Sequence, residues 1–481
     1  MEETTTEPVS ASRRLRTALL IFGAVVVVVA VGVTVVGLVV GRNDEGRMVG
    51  PSGAFPAPLA VPARPHAVRP ATTAPNDALV YGGLYLAGLG TSEVRAVDIR
   101  TGRSYWRYDR PGSVAESWTL DRAAGRLVTA WSNNDRDQVE MIDVRAGRIV
   151  WRQHSIAELI KNPTGIGGFV HGSVGLFVDP ETKVTAVVGR WWTAGLDGGT
   201  GRLRWKHRFA SGCEALNFRY PGNIGEVSPF DFAGEGPSDT YAQALAGVFA
   251  IEESCGSGVG NVVGNVVGYG ARTGAERWKI SATEAAGGMP SALSRGSRLD
   301  PAALGGLYDF DGRLLALGLT LDGDDVTLID PTSGHIVARR NTLGRLPNTP
   351  GNWSEVTYGA GTQVGLCTAA REQVLCADDP KKGKALWRRP MPAGLVPQRP
   401  VIIDQGRVYL LAARHASLDW QLIVTDLRTG KTIMHTPLYE GEADLSPEPD
   451  ETADGVIHTV TDGIILTTGA IRGTVDLQVQ Q

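Results

Sequence analysis

Short apolar runs separated by turn residues dominate the sequence from residue 78 to the C-terminus. Residues 84–87, 126–130 and 407–411 are three such runs, and each precedes a copy of a repeated motif. Runs of four to eight residues rich in Val, Leu and Tyr, with turn residues between them, are typical of β-strands. The pattern therefore predicts an all-β fold over residues 78–481.

The repeated motif has a constant internal spacing. An Asp, replaced by Gly270 in one copy, stands four residues before a Gly, and a Trp or its substitute stands four residues after that Gly. The Asp carboxylate can accept hydrogen bonds from the turn amides, and the Gly can adopt the positive φ that closes the turn. The copies are Asp98, Gly102 and Trp106; Asp143, Gly147 and Trp151; Asp197, Gly201 and Trp205; Gly270, Gly274 and Trp278; Asp330, Gly334 and Ala338; Asp379, Gly383 and Trp387; and Asp426, Gly430 and Met434.

The distance between successive copies varies. From Gly to Gly it is 45, 54, 73, 60, 49 and 47 residues, which indicates one supersecondary unit with loops of different length. About 45 residues is the length of four short strands with their turns, the size of one propeller blade. The Trp side chains would then supply the large apolar surface between neighbouring blades.

The predicted number of blades is seven or eight, and eight is favoured. Three strand-like runs without a motif, at 455–460, 463–468 and 474–479, follow the last copy. The chain before the first copy is too short for a complete set of strands. We therefore expect the two chain ends to complete one blade together and to close the ring.

An uncharged run of 23 residues, 18–40, precedes the repeats. It is long enough to cross a bilayer as a helix of roughly 20 residues. We predict a cytoplasmic tail over 1–16 and a transmembrane helix over 17–41. Three Arg precede the run and two follow it, which leaves the N-terminus in the cytoplasm and exports the rest of the chain. These residues are Arg13, Arg14 and Arg16, and then Arg42 and Arg47.

A cleaved signal peptide is the alternative for this run, and Arg13 with Arg14 resembles a twin-arginine signal. The apolar region of a signal peptide is shorter, roughly 7–15 residues, and small residues follow it. Residues 41–44 do not provide such a cleavage site. Residues 42–77 contain seven Pro and no apolar periodicity, so we predict a disordered spacer that lifts the propeller off the membrane.

The charge and the cysteine content limit the classes of protein that the sequence can belong to. The net charge of −4 and the pI of about 6.1 do not favour a nucleic-acid binder. Four Cys in a domain predicted to lie outside the cytoplasm are expected to form disulfides, with four free thiols as the alternative. Cys367 and Cys376 lie on two adjoining strand-like runs, where facing positions of a hairpin would pair them. Cys213 and Cys255 would then tie a long insertion to its blade.

The motif resembles the repeat of the pyrroloquinoline-quinone (PQQ)-like β-propellers, written Ala-x-Asp-x-x-Thr-Gly-x-x-x-Trp. Residues 96–106 match every defined position, and the resemblance extends over roughly residues 78–480. That family includes quinoprotein alcohol dehydrogenases and cofactor-free relatives, among them the lipoprotein that helps to assemble outer-membrane barrels. The predicted anchor and the Ala/Val/Arg-rich composition are similar to membrane-anchored, cofactor-free members of actinobacterial type. Because the motif serves blade packing in every member, it indicates a fold and not an activity.

The resemblance also implies what a PQQ enzyme would need. Such an enzyme carries two adjacent Cys against the quinone, together with Glu, Asn and Asp ligands for Ca²⁺ and an Asp base. The sequence contains no Cys-Cys dipeptide, so we expect no cofactor, with PQQ as the alternative. Asp322, Asp324 and Asp325 could bind Ca²⁺, but a solvated hairpin tip is favoured for them. No catalytic residue and no metal ligand is assigned.

The sequence thus predicts a single-pass membrane protein with an extracytoplasmic propeller that acts as a non-catalytic binding or assembly scaffold in the cell envelope. Its partner is expected to be an envelope protein, bound by loops on one rim and above all by the insertion at 206–265. Two alternatives stay open. One is a PQQ-dependent oxidoreductase, and the other is a module that binds cell-wall glycans or small ligands through Trp191 and Trp192. For these two Trp, ordinary blade packing is the favoured explanation.

Overall fold

The structure is a computed structural model of the chain. It describes residues 46–56, 79–99, 101–132, 138–154, 175–215, 241–256, 263–285, 306–318, 325–341, 357–369, 372–404, 406–414, 420–437, 456–461, 464–468 and 475–479.

The described strands form eight sheets, numbered here in chain order. Sheet 1 contains β1 Arg47–Val49, β2 Leu79–Tyr81, β3 Leu84–Ala87, β4 Glu93–Asp98 and β5 Ser104–Asp109. Sheet 2 contains β6 Val114–Asp121, β7 Arg126–Ser132, β8 Gln138–Asp143 and β9 Arg148–Gln153. Sheet 3 contains β10 Gly175–Asp179, β11 Val184–Val188, β12 Trp192–Asp197 and β13 Leu203–Arg208. Sheet 4 contains β14 Cys213–Ala215, β15 Ala242–Leu245, β16 Val248–Cys255, β17 Val263–Gly270 and β18 Glu276–Ser281.

The second half of the chain repeats this organisation. Sheet 5 contains β19 Leu307–Asp309, β20 Leu315–Gly318, β21 Asp325–Ile329 and β22 Ile336–Asn341. Sheet 6 contains β23 Thr357–Gly359, β24 Thr362–Ala369, β25 Glu372–Asp379 and β26 Lys384–Pro390. Sheet 7 contains β27 Leu395–Asp404, β28 Arg407–Arg414, β29 Trp420–Asp426 and β30 Thr432–Pro437. Sheet 8 contains β31 Val456–Thr461, β32 Ile464–Thr468 and β33 Val475–Val479. A four-residue helix, α1 Ala282–Ala285, follows β18.

In sheets 2, 3, 5, 6, 7 and 8 the strands follow one another as an antiparallel meander, for example in the order β6-β7-β8-β9 in sheet 2. Second strands are buried on both faces because neighbouring sheets cover them. All four residues of β3 and all five of β11 are buried. This explains why such strands have continuous apolar runs in the sequence instead of alternating apolar and polar residues.

The first strands of successive sheets contact each other. β6 contacts β10, β10 contacts β15, and the series continues through β19, β23 and β27 to β31. β31 in turn contacts β2, and sheet 1 contacts sheet 2 through β4 and β6. Repeated small sheets with their first strands turned towards one another are the architecture that the constant motif spacing predicts.

The three strand-like runs after the last motif are confirmed as β31, β32 and β33. The expectation that the two chain ends share one blade is wrong for the described strands. Sheet 1 takes its first four meander strands from residues 79–109, and sheet 8 takes its three strands from the C-terminal region. The three residues of β2 are too few for their apolar pattern to predict a strand. The strands predicted before the first motif copy therefore lacked the first strand of sheet 1.

Residues 46–56 lie along the outer edge of sheet 1, and we call them the N-terminal clip. β1 pairs antiparallel with β5 and places Met48 opposite Tyr108. Ser52 then donates two hydrogen bonds to the backbone carbonyls of residues 104 and 105, at 2.9 and 2.8 Å. The prediction of a disordered spacer over 42–77 therefore does not hold for the clip. A free sheet edge offers hydrogen-bond partners to an extended segment, so the clip needs no apolar periodicity of its own.

The predicted tail at 1–16 and the predicted transmembrane helix at 17–41 lie outside the described residues. In the part of the chain that the structure describes, no helix combines the length and the apolar character needed to cross a bilayer. The single-pass anchor therefore stays a prediction.

The stretch 206–265 is not one rim loop, as the sequence suggested. β14 and β15 both pair with β16, on the side opposite β17, and so they share the first-strand position of sheet 4. Residues 216–240, between the two halves, lie outside the described residues. Seven of the eight residues of β16 are buried, so this part of the stretch cannot serve as a contact surface.

Candidate functional site

The motif Asp residues close their own turns, in agreement with the sequence prediction. The Asp143 carboxylate accepts hydrogen bonds from the backbone N–H groups of Arg145 and Ala146, at 3.1 and 2.9 Å. Such bonds from the turn also reach Asp98, Asp197, Asp330, Asp379 and Asp426. These carboxylates are used inside hairpin turns, which is a structural role and not a catalytic one.

Asp197 has an additional partner in Arg204 of β13. The Arg204 Nε donates to the carboxylate at 3.1 Å. This bond and the ones from Thr200 and Gly199 lower the pKa of Asp197 to about 2. The carboxylate is therefore ionised at every pH at which the turn is expected to function.

Each motif Gly with a Trp before it in the preceding sheet has two reasons to be Gly. Gly201 has a φ of 69°, which side chains other than Gly rarely tolerate. A Cβ at this position would also lie 2.6 Å from the ring of Trp151. The same contact joins the following pairs: Gly147 with Trp106, Gly274 with Trp205, Gly334 with Trp278 and Gly430 with Trp387.

The indole N–H of each motif Trp donates to a backbone carbonyl in the turn of the next sheet. The acceptor is always the residue after the motif Asp position, at distances of 2.7 to 3.1 Å. A buried indole N–H needs such a partner, and here the partner also fixes one sheet against the next. We call the ring packing and this bond the Trp–turn contact. The donors and acceptors are Trp106 with Val144, Trp151 with Gly198, Trp205 with Ala271, Trp278 with Pro331, and Trp387 with Leu427.

A β-bulge aims each Trp at the next sheet. In all seven motif copies the residue before the Trp position has no cross-strand partner, and the register shifts there. The Trp then stands opposite a small residue in four copies, for example Gly195 opposite Trp205. Where Ala338 replaces the Trp, the opposite residue is Leu328, which restores part of the missing volume.

The bulge residue itself points away from the core in three consecutive sheets. Val337, Leu386 and Ile433 occupy it in sheets 5, 6 and 7, and they are 48%, 42% and 51% exposed. In sheet 1 the same position is Tyr105, which is only 5% exposed. There Phe55 of the N-terminal clip covers it, with ring centroids 5.8 Å apart. We call Val337, Leu386 and Ile433 the apolar edge; the repeat spacing in the sequence could have revealed it, three residues after each Gly.

Both predicted disulfides are present. Cys213–Cys255 links β14 to β16, with the two residues directly opposite each other. Cys367–Cys376 links β24 to β25. In the second case Cys367 stands opposite Val374, so the bridge runs diagonally across the hairpin and not between facing positions as predicted.

A buried carboxyl group lies beside the first disulfide. Glu253 is 2% exposed and accepts a hydrogen bond from the Tyr269 hydroxyl. Burial raises the pKa of Glu253. Its carboxylate and the sulfurs of Cys213 and Cys255 lie within 4.8 Å of one another. The two sulfurs are bonded to each other and are not thiolate ligands, so the group is not a metal site in this state.

A buried ionic cluster that the sequence did not indicate joins sheets 1 and 2. Glu140 accepts hydrogen bonds from Arg110 at 2.8 Å, from Arg152 at 3.0 Å and from Gln138 at 2.7 Å. Burial and the Glu140 charge raise the pKa of Tyr108 beside it. Arg110 and Glu140 are 3% and 0% exposed. All three bonds reach the same carboxylate oxygen of Glu140, so the cluster ties the link after sheet 1 to two strands of sheet 2.

The remaining sequence candidates do not form a site. Trp192 is buried, and Trp191 packs against the same core with the Arg190 guanidinium 4.8 Å from its ring centroid. Both observations agree with blade packing and not with an exposed sugar-binding pair. Asp322 and Asp324 lie outside the described residues, and Asp325 begins β21.

Small antiparallel sheets that repeat around Trp–turn contacts define the PQQ-like class of β-propeller. A sequence model of the family described as outer membrane protein assembly factor BamB matches residues 72–225 and 262–467, and the chain belongs to this family. None of the curated proteins matches the chain.

Two similar solved structures differ in kind. BamB from Moraxella catarrhalis is 13% identical, with a TM-score of 0.45, over 87% of this chain and 99% of that chain. Quinohemoprotein alcohol dehydrogenase from Comamonas testosteroni is also 13% identical, with a TM-score of 0.45, over 86% of this chain and 74% of that chain.

Trp151→Ala is expected to lower the free energy of unfolding by roughly 3–5 kcal/mol, because it removes a buried ring and its bond to the next sheet. Denaturant unfolding of the full chain in detergent measures the loss. Trp191→Ala, which truncates a partly exposed ring, is the control and should cost less. A loss near zero for Trp151→Ala would show that the Trp–turn contact does not hold the sheets together.

Gly201→Ala separates the two reasons for Gly at the motif turn. Gly212 has a φ of 81°, and a Cβ added there would meet no atom within 4 Å, so Gly212→Ala carries the backbone strain alone. That strain costs about 1–2 kcal/mol. Gly201→Ala adds the collision with Trp151 and should lower the unfolding midpoint clearly further. Equal midpoints for the two variants would contradict the packing role.

The depressed pKa of Asp197 predicts a pH-dependent contribution to stability. The contribution is fully present above the unfolded pKa of about 3.9 and is lost as the pH falls towards about 2. Asp197→Asn should therefore lower stability at pH 7, by less than about 1 kcal/mol because the pair is partly exposed. The loss should be clearly smaller near pH 2, where the folded carboxyl is about half protonated. Arg204→Gln should remove most of the pH dependence. A cost of Asp197→Asn that does not change between pH 7 and pH 2 would refute the assignment.

Proposed function

We propose that the chain is a single-pass membrane protein whose eight sheets close into an eight-bladed propeller outside the cytoplasm, where it acts as a non-catalytic binding or assembly scaffold. The contact of β31 with β2 supports closure of the ring. The uncharged run at 18–40 supports the anchor, and two disulfides favour an oxidising compartment. The family description, an outer membrane protein assembly factor, supports an assembly role in the envelope.

The observation that carries the scaffold proposal is the apolar edge. Three neighbouring sheets expose an aliphatic side chain at one repeated position of their outermost strands. Exposed apolar residues next to unpaired strand edges are typical of surfaces that bind another chain. In sheet 1 the equivalent position is already covered by an extended segment, the N-terminal clip, which adds a strand to the sheet. The same mode of binding at sheets 5 to 7 would take an extended, apolar segment of an envelope protein.

The motif residues do not favour the PQQ alternative. The motif carboxylates bond their own turns, and all four Cys lie in disulfides between different strands. The adjacent Cys pair that the resemblance associates with quinone contact is missing from the sequence. The residues present therefore do not fit the arrangement that a quinoprotein would use.

Proximity labelling in living cells tests the scaffold. A labelling enzyme fused to the C-terminus should mark a small set of envelope proteins above the envelope background. Replacing the apolar edge with Val337→Lys, Leu386→Lys and Ile433→Lys should remove the specific set, because a charge at each bulge opposes an apolar strand.

Leu203→Lys is the matched control, since Leu203 is 40% exposed but lies on sheet 3, away from the apolar edge. It should leave the labelled set unchanged. An unchanged set after the triple substitution would contradict binding at the apolar edge. Recovery of the envelope background alone by the unmodified chain would contradict the scaffold proposal.

A further inference from the structure

The N-terminal clip is fixed to the propeller at both of its ends. At its beginning, Gly46 lies so close to the Tyr108 hydroxyl that a Cβ would stand 2.3 Å from it. At its end, the Phe55 ring packs against the rings of Tyr81 and Tyr105, with centroids 6.0 and 5.8 Å away. The guanidinium of Arg145, from sheet 2, lies 5.0 Å from the Phe55 centroid. The clip is therefore held by backbone pairing, by a close approach and by aromatic packing.

The direction of the clip shows which face of the propeller it enters. β5 begins after the motif turn and ends at Asp109, from which residues 110–113 lead to β6 of sheet 2. Because β1 pairs antiparallel with β5, the clip starts at this end, with Arg47 opposite Asp109. We call the side that carries such links between sheets the connection face, and the opposite side, which carries the motif turns, the motif face.

The chain between the predicted anchor and the clip is short. Four residues lie between Gly41, the end of the predicted transmembrane helix, and Gly46. The five steps from one Cα to the next span at most about 18 Å when the chain is fully extended. Had residues 42–77 formed a free spacer, the same calculation would allow a reach of about 120 Å. The clip therefore shortens the chain between the predicted anchor and the folded part more than sixfold. Residues 57–77 follow the clip in the sequence and so do not add to this length.

We infer that the clip holds the connection face of sheet 1 against the surface of the membrane in which the chain is anchored. The partner of this face is the lipid bilayer. The chain before the clip is short, and it reaches the propeller at the connection-face end of β5. The inference rests on the membrane anchor of the proposed function. The motif face of sheet 1 then lies further out, by the length of the six-residue strand β4, which is about 20 Å.

Energy transfer to labelled lipids tests the orientation. The full chain is reconstituted into vesicles that carry acceptor lipids, with a fluorescent amino acid at either Ser92 or Arg103. Both positions are exposed turns of sheet 1; Ser92 lies between β3 and β4 on the connection face, and Arg103 lies in the motif turn. Transfer from Ser92 should be clearly greater than transfer from Arg103.

Two Gly variants show whether the clip causes the orientation. Gly46→Val places a side chain where the Tyr108 hydroxyl stands and should release the clip, so transfer from Ser92 should fall towards that from Arg103. Gly50→Val is the matched control, because no atom lies within 4 Å of a Cβ there, and it should keep the difference. Near-ultraviolet circular dichroism of both variants checks that the propeller itself stays folded.

The outcomes separate this inference from the proposed function. Release of the unmodified chain from vesicles by alkaline carbonate would overturn the anchor and this inference together. An anchored chain with equal transfer from the two positions, or with greater transfer from Arg103, would overturn the inference alone. A folded Gly46→Val protein that keeps the full difference would show that the clip does not set the orientation, and it too would overturn the inference.

Discussion

The architecture depends on one repeated interaction, the Trp–turn contact. A large ring from one sheet fills the space above a Gly in the next, and its N–H bonds a backbone carbonyl of the same turn. The contact combines apolar burial, which does not depend on orientation, with a hydrogen bond, which does. Five such contacts in the described chain therefore set both the closeness and the angle of neighbouring sheets. The bulge before each Trp, and the Gly or Ala opposite four of the five rings, make this geometry possible.

The sequence was sufficient to predict what is encoded locally. The spacing of Asp, Gly and Trp indicated the turn, the strand after it and the aromatic side chain between sheets. Two adjoining strand-like runs indicated the Cys367–Cys376 pair, and Cys213–Cys255 was the pair that remained. The sequence could not reveal features made by residues far apart along the chain. Arg110 lies in the link after β5 and Glu140 lies in β8 of sheet 2, and nothing in either local pattern joins them. The N-terminal clip was missed for the same reason, because its order comes from the edge of sheet 1 and not from its own composition.

Two kinds of outer edge occur among the described sheets. Sheet 1 has its outermost strand covered by β1, and its bulge residue Tyr105 is buried. Sheets 5 to 7 end in β22, β26 and β30, with aliphatic side chains in the solvent. Among the described strands, one outer edge is thus covered by the protein's own chain and three similar edges are not, so the sheets differ around the molecule in what their outer strands present to solvent.

The interrupted first strand of sheet 4 has a consequence for how this family can diversify. β14 and β15 pair with one continuous strand, and the chain leaves and re-enters the sheet between them. The Cys213–Cys255 bond ties the first half to β16 whatever the length of the segment in between. Such a position accepts inserted sequence of almost any length without changing a strand register. Chains of this architecture can therefore differ in length between β14 and β15 while their sheets stay the same.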